Sequence, residues 1–554
     1  MSDQYPDDTK KDDRMVAQTL SHASPQHDKN SYDEETNVPS GLPEGIDEKK
    51  LLRKIDFTLI PWICFLYLLS FLDRGAIGNA RIYGLQTDLG LSSTQYALTL
   101  TIFFLPYAGF EVPSNILLKR LRPRIWFPLI TIFVGICMAM QGVVHNYGGL
   151  LGARFALGVA EAGLFPGANY LLAGWYKRNE MGKRTAIFFS AATLAGAFGG
   201  LLSYALNLMD GIGGYEGWRW IFLIVGICTF LAGILSFWLC VDFPDTASFL
   251  SDKERRAVVW RLQQDQQFSA AGETFHMNHL WRGICDWKTI VGMLIYAGVC
   301  GPLYAFSLFT PTILRELGYT ANRANLTSIP IYAVACLFTV TVGFLADRTS
   351  RRSLYNVGLG LVAIVGYAIL IGNNPTSKPG VSYFACYLAA IGIYPAISNT
   401  ISLVAGNSEG AYTRAVVTAM VISFGNFNGA PTSNVYPTRT SPRFQMGHGI
   451  IIGYLFMTVL ASLVYYLGVT RENAKREAGL RDERILASEL SPEEQAGRDL
   501  EAEAAQIRAQ EAAEAGWWRR FQYGLHLQGG GTYATVEEAK RLKGDHWSGF
   551  RYRS

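Results

Sequence analysis

The stretch Arg154–Gly167, RFALGVAEAGLFPG, places an arginine and a glutamate inside a long apolar run. Arg154 and Glu161 are separated by two helical turns, so on a helix they share one face, about 10 Å apart along the axis. Gly158 and Phe165 fall on that face too, one turn either side of Glu161. An ionisable side chain at membrane depth costs about 2.5–3.5 kcal/mol on insertion scales, so it normally faces a bundle interior or a water-filled cavity. If the runs around it are membrane spans, this helix is expected to line a transport pathway.

The rest of the chain supplies that condition. Charges gather at the two ends and in short loops, and long uncharged runs lie between them; apolar runs of 18 or more residues read as membrane-spanning helices. Six runs are expected in the first half: near Ile55, near Thr94, from Ile125, the run holding Arg154–Gly167, Thr185 onward (TAIFFSAATLAGAFGG), and from Trp218 to Cys240. Six more start near Thr289, Asn325, Leu354, Ser382, Thr413 and Gly447. The predicted organisation is a disordered polar tail over residues 1–50, a six-helix half over 51–240, a cytosolic central loop over 241–286, a second six-helix half over 287–470, and a charged cytosolic tail over 471–554. The loop carries a charged helical pattern, SDKERRAVVWRLQQDQ, and the tail an Ala/Glu-rich stretch that reads as a solvated helix. The first fifty residues lack an apolar h-region, so no cleavable signal peptide is expected.

Orientation follows from the basic turns. KRLRPR (Lys119–Arg124), the turn with Lys177, Arg178, Lys183 and Arg184, and DRTSRR (Asp347–Arg352) lie after spans two, four and eight, whereas the alternate turns are poor in Lys and Arg apart from Arg219 and Lys378. The positive-inside rule then puts both termini in the cytoplasm. Twelve spans as six plus six, joined by a long loop, is the layout of transporters built from two repeated halves. The eight cysteines include no CxxC pair and read as small buried hydrophobes. No RNA-binding motif or basic tract suggests nucleic acid, and no nucleophile–base pair, metal cluster or nucleotide loop suggests an enzyme or a cofactor.

The turn after span eight, GFLADRTSRR (Gly343–Arg352), resembles the signature loop of the major facilitator superfamily, with Gly343, Asp347, Arg348, Arg351 and Arg352 at the motif positions. The glycine permits close helix approach, and the acidic and basic groups can form a charge network that locks one gate. The equivalent first-half turn, PSNILLKRLRPR, keeps the basic residues and lacks the Asp. FLDRGAIGNARIYGLQTDLGLSSTQY, EVPSN, GVAEAGLFPG, WRWIF and DFPDTASFLSDKE together resemble the anion:cation symporter branch, in particular fungal permeases of the nicotinate and allantoate type, over Lys50 to Arg471, with a faint echo in GDHWSGFRY near the C-terminus.

Arg74, beside Asp73 toward the outer end of span one, matches an arginine which that resemblance implicates in anion binding, although Gly75 and Ala76 replace the usual following residues. A planar guanidinium can hold a carboxylate by two parallel hydrogen bonds. Glu161 is the expected proton carrier, with Arg154 as its expected partner, since burial raises a carboxyl pKa and a nearby arginine lowers it. Asp73 and Glu111 are further candidates for proton coupling; Glu111 shares a helix face with Asn115, and Pro113 lies between them. Tyr107, Asn169, Tyr304, Tyr394 and Asn426, with Asn399, are polar groups within spans that could orient a small substrate. AGAFGG (Ala195–Gly200) reads as small residues for close packing and lacks the proline of the drug-antiporter motif it partly resembles. Asn325 opens a glycosylation sequon beside a span.

The expectation is an all-helical, twelve-span, multi-pass protein of the plasma membrane, monomeric in the lipid bilayer, taking up a small organic anion with a proton by alternating access. A monocarboxylate such as nicotinate comes first, then allantoate or other ureido acids, then pantothenate or biotin. The alternatives are an exporter of a toxin or metabolite and a nutrient sensor that binds without transporting.

Overall fold

The computed structural model describes residues 46–264, 277–408, 411–437, 440–490, 495, 498–517, 520, 522, 525, 527 and 530–553. The tail expected to be disordered therefore lies, to residue 45, outside the described residues.

The described chain is nearly all helix. Ten helices are long and apolar enough to cross a membrane: Glu48–Ile82, Pro123–Gly142, Tyr147–Ala173, Glu180–Asn207, Gly217–Leu239, Trp287–Glu316, Ala321–Thr349, Arg352–Gly372, Pro379–Gly406 and Gln445–Glu477. Two more, Ser93–Leu121 and Ala411–Phe427 followed by Gly429–Thr432, stand where spans two and eleven are expected. In chain order they are spans one to twelve. Polar residues just outside the apolar runs start them. Asp47 caps span one by accepting from Lys49 N at 2.9 Å, Ser92 and Gln95 form a capping box on span two, and Asp286 caps span seven from Lys288 N. Each such cap supplies about 1 kcal/mol by satisfying an orphan amide.

Glycines let the helices approach where a Cβ would collide with backbone. A methyl on Gly226 of span six would lie 2.5 Å from Ala139 N of span three, and one on Gly366 of span nine would lie 2.8 Å from Ala385 O of span ten. AGAFGG does the same at the seam between the halves: Gly196 faces the Tyr332 ring and Gly200 the Asn325 carbonyl, both on span eight.

Spans five and eight meet along their length. At the end carrying the basic turns, called here the basic end, Gly182 lies directly against Asp347 and Arg352, and Gly343 against Ala186. At the opposite end Asn325 Nδ2 donates to the Tyr83 hydroxyl at 3.1 Å, and Thr101 of span two meets Ser433 at 3.0 Å. The halves are thus closed against each other at both ends. Asn325 is fully buried in this contact, which removes the sequon from use.

The polar segments are folded onto the basic end. Asp252–Gln264 of the central loop forms a helix whose Arg261 pairs with Glu48 at 2.9 Å and Glu180 at 2.6 Å, while Glu254 pairs with Lys54 at 2.8 Å. Beyond span twelve, Leu500–Glu514 is the expected Ala/Glu-rich helix, exposed over most of its length. The rest of the tail is folded as well. Arg484–Ile485 pairs in parallel with Thr532–Tyr533, and Leu486, Ala504 and Ala534 share a small apolar cluster. All eight cysteines are free thiols.

Candidate functional site

Span one brings Tyr67, Ser70 and Arg74 to one face by their helical spacing. Span one runs on to Ile82, so Asp73 and Arg74 sit well inside the helix and are buried, not at its outer end as expected. Span four is broken immediately after Glu161: one helix ends there and a second starts at Leu164. The break has a local cause. Pro166 has no N–H to return to the carbonyl of Ala162, four residues earlier. Gly163, at the break, lies so close to Ser114 of span two that a side chain there would collide with it. Glu161 is therefore the last residue of a helical segment, aimed into the bundle.

The geometry corrects the expected partner of Glu161. Arg154 does not pair with it; the partner is Arg74, whose Nη2 lies 2.7 Å from Glu161 Oε1. The arginine comes from a neighbouring helix at the same depth, whereas Arg154 is two turns away along its own. Ser70 donates a short hydrogen bond to the same carboxylate oxygen. Arg74 Nη1 donates to the Tyr304 hydroxyl at 2.9 Å, Tyr304 donates to Asn426 Oδ1 at 2.7 Å, and Asn426 Nδ2 donates to Glu111 Oε2 at 3.2 Å. One chain of hydrogen bonds thus leads from Glu161 to Glu111. It leaves the first half through Arg74 and returns to it through Glu111. Glu161 and Glu111 are each 0 % exposed and Arg74 is 4 % exposed. Arg74 Nε, Glu161 Oε2 and Glu111 Oε1 keep unused hydrogen-bonding capacity.

Aromatic rings wall the guanidinium. Its central carbon lies 4.7 Å from the Tyr107 ring centre, 5.3 Å from Phe71 and 5.4 Å from Phe103. Such faces attract a cation, most strongly where water is excluded. Tyr67 stacks on Phe188 with centroids 4.5 Å apart and on Phe165 at 5.2 Å, which closes the site toward span five.

The other expected residues distribute differently. Asp73 faces span six, where Thr229 Oγ1 donates to it at 3.4 Å. Arg154 is buried with Nε and Nη2 lacking hydrogen-bond partners. Asn169 uses its amide on the Phe165 carbonyl of its own span, at 2.9 Å. Tyr394 lies in a second aromatic group, its ring 5.9 Å from Tyr332 and 6.4 Å from Phe306. Asn399 belongs to the basic end, where it accepts from Arg352 Nη1 at 3.0 Å and donates to the Arg352 carbonyl at 2.7 Å. There Asp347 and Arg352 form a close ion pair, while Arg348 and Arg351 are exposed. Of Asn115 only the backbone is described.

Ser70, Phe103 and Thr229 complete the site without having been expected. Ser70 could have been found, since it lies one turn before Arg74; Thr229 meets Asp73 only through tertiary packing. Elsewhere Asp286, Asp545 and His546 come together in a manner that could suggest a metal. The carboxylates instead hold the Lys288 ammonium, with Nζ 2.9 Å from Asp286 Oδ2, so the group is an ion-pair cluster. Burial alone would raise both carboxyls; the lysine beside them outweighs it and holds both below the usual carboxylate range.

A family model described as Major Facilitator Superfamily matches residues 63–433. The chain is 36% identical over 445 residues to the MFS-type transporter cnsO of Penicillium expansum, covering 79% of this chain and 86% of that protein. It is 32% identical over 460 residues to the major facilitator-type transporter hxnP of Emericella nidulans, covering 80% and 92%. Among solved structures, a bacterial homologue of the human lysosomal transporter Spinster, inward-facing and unoccupied, superposes with a TM-score of 0.57 at 18% identity, over 76% of this chain and 97% of that one. The proton:xylose symporter XylE, bound to 6-bromo-6-deoxy-D-glucose, superposes with a TM-score of 0.54 at 17% identity, over 74% and 95%.

Proposed function

The chain belongs to the major facilitator superfamily of membrane transporters, and we propose that it carries a small organic anion inward with a proton, in the manner of the anion:cation symporters. The observation behind this reading is the buried Arg74–Glu161 pair at 2.7 Å, with Tyr304 of the other half on the same guanidinium.

The pair is a switch between two ways of neutralising one arginine. With Glu161 ionised, its carboxylate satisfies Arg74. A proton on Glu161 removes that negative charge and would leave a buried guanidinium uncompensated, which costs several kcal/mol. A carboxylate on the cargo then restores the balance: it accepts from the freed guanidinium, and neutral Glu161 keeps its hydrogen bond to Ser70. Proton and anion enter together because either alone leaves an unpaired buried charge. On release, Glu161 returns its proton and pairs with Arg74 again. Tyr304 and Asn426 carry the change in the site to the second half, since they hydrogen-bond Arg74 on one side and Glu111 on the other.

The basic end is the cytoplasmic gate in this reading, closed by Asp347 and Arg352 against Gly182. Both termini are then cytoplasmic, the membrane is the plasma membrane, and the transporter works as a monomer. The aromatic walls formed by Tyr107, Phe71 and Phe103 suit a flat cargo, so an aromatic monocarboxylate of the nicotinate type comes first, ahead of allantoate, pantothenate and biotin. The test is a panel of unlabelled carboxylates competing with uptake of labelled nicotinate into cells expressing the protein, with and without an imposed proton gradient. Uptake should rise with an inward proton gradient and fall with competing monocarboxylates. Flux that ignores both, or that runs outward, removes the assignment.

A further inference from the structure

At the basic end a cleft lies between the start of span five and the ends of spans nine, ten and eleven. Three arginines from separate parts of the chain line it: Arg352 opening span nine, Arg414 near the start of span eleven, and Arg553 at the C-terminal end. Two hydroxyls line it as well, Thr185 Oγ1 from span five and Ser402 Oγ from span ten. Both are buried without a hydrogen-bond partner. Thr185 itself is 1 % exposed.

Two of the three arginines are already engaged. Arg352 is paired with Asp347, and Arg414 donates to the Ser408 carbonyl at 3.2 Å. The Arg553 side chain makes no ion pair among the described residues. Yet Arg553 is held firmly in place. Its backbone N–H donates to Asn407 Oδ1 at 2.7 Å and its carbonyl accepts from Asn407 Nδ2 at 2.7 Å. The residue before it, Tyr552, accepts from Lys288 Nζ and from Arg476 Nη2, each at 2.9 Å, with both cations over its ring. A buried lysine, a buried arginine and the asparagines Asn407 and Asn473, the latter donating to the Tyr552 carbonyl at 2.9 Å, thus fix the chain end so that its last described arginine stands at this cleft.

We propose that the cleft is a binding site for one small oxyanion group, a carboxylate or a phosphate, held by Arg352, Arg414 and Arg553 with the Thr185 and Ser402 hydroxyls as further donors. Guanidinium forks match the planar carboxylate and the face of a phosphate, and a hydroxyl can rotate to donate. Thr185 belongs to the first half, Arg352, Ser402 and Arg414 to the second, and Arg553 to the tail docked on the second, so the full donor set exists only while this end of the transporter is closed. An occupant therefore favours the closed gate by its difference in affinity for the two states. The site is separate from the Arg74–Glu161 pair. Its occupant comes either from the cargo, as a carboxylate on its way through, or from free phosphate in the surrounding solution.

Equilibrium dialysis of the full-length protein in detergent against radiolabelled inorganic phosphate, at fixed ionic strength, tests this. One phosphate should bind per chain and acetate should displace it. Arg553→Ala should weaken binding at least tenfold, the loss of roughly one charge-assisted contact. Arg553 is exposed, so its replacement does not threaten the fold. Arg74→Lys, at the central pair, should leave phosphate binding unchanged. Displacement by acetate at lower concentration than by unlabelled phosphate would assign the cargo's carboxylate as the natural occupant, and the reverse would assign phosphate. Absence of saturable binding, equal binding in Arg553→Ala, or loss of binding in Arg74→Lys would overturn the proposal, the last because it would place the anion at the central pair.

Discussion

The two halves of the bundle divide their charges in opposite ways. At membrane depth the first half carries Asp73, Arg74, Glu111, Arg154 and Glu161, all buried, and the second half meets Arg74 and Glu111 with neutral Tyr304 and Asn426. At the basic end the pattern reverses. There the second half and its tail bury Lys288, Asp286, Asp545, Arg352 and Arg476, whereas the first half is tied to the central loop by the buried Arg261, paired with Glu48 and Glu180, and by exposed pairs such as Lys54–Glu254, whose side chains are 43 % and 25 % exposed. Exposed pairs contribute about 0–1 kcal/mol, but removing one partner of a buried pair costs about 3–5 kcal/mol. The same kind of contact serves two roles in the proposed transport cycle. In that cycle a buried charge of the first half has a partner that a cargo replaces. In the second, its partners are supplied permanently by the chain's own end.

The largest effect should come from breaking the permanent cluster. Lys288→Ala strands Asp286 and Asp545 beside each other and should destabilise the protein by about 3–5 kcal/mol, seen as a lower midpoint of thermal unfolding in detergent. Lys54→Ala, its counterpart in the first half, should shift that midpoint little. Next comes Arg74→Lys. A point charge cannot copy the planar fork, so apparent affinity for the anion should fall about tenfold or more in uptake assays, with the thermal midpoint nearly unchanged. Tyr304→Phe removes the hydroxyl that joins Arg74 to Asn426. A hydrogen bond of this kind to a charged group is worth about 1.5–3 kcal/mol, and maximal uptake should fall accordingly while binding of substrate to the first half persists.

The smallest effect is one of pH. Asp286 and Asp545 are held below the usual carboxylate range; burial opposes this, and the Lys288 ammonium overcomes it. Their contribution is therefore complete above the unfolded value of about 3.9 and is lost as pH falls through the lower folded values. Pepsin cleavage in the segment 545–553 should rise as the pH falls from about 4 toward 2, whereas its accessibility to neutral proteases should not change between about pH 5 and 8.

Much of the fold was legible because its signal is local. Apolar runs, basic turns and the GFLADRTSRR loop give the spans and the halves with no knowledge of contacts, and RFALGVAEAGLFPG marks Glu161 as a charge needing a partner. Its partner was less legible. Helical spacing pointed to Arg154, on the same helix, but a buried carboxylate takes the cation nearest in space, and Arg74 reaches it from span one. The break at Gly163 could have been read from Pro166 three residues on. The tail's contacts were not legible for another reason. Asp545, Tyr552 and Arg553 fit polar groups on spans seven and twelve and at the end of span ten that lie far away in sequence. Charge composition cannot tell a solvated run from one whose partners are buried elsewhere.

In the proposed cycle Glu161 exchanges its ionic bond to Arg74 for a proton each time the anion enters. Proteoliposomes carrying Glu161→Gln test it in two modes, proton-driven accumulation and exchange of labelled for unlabelled anion at equal pH. The neutral amide imitates the protonated state, so accumulation against a gradient should vanish while exchange continues. Accumulation at the wild-type level in this variant would contradict the account.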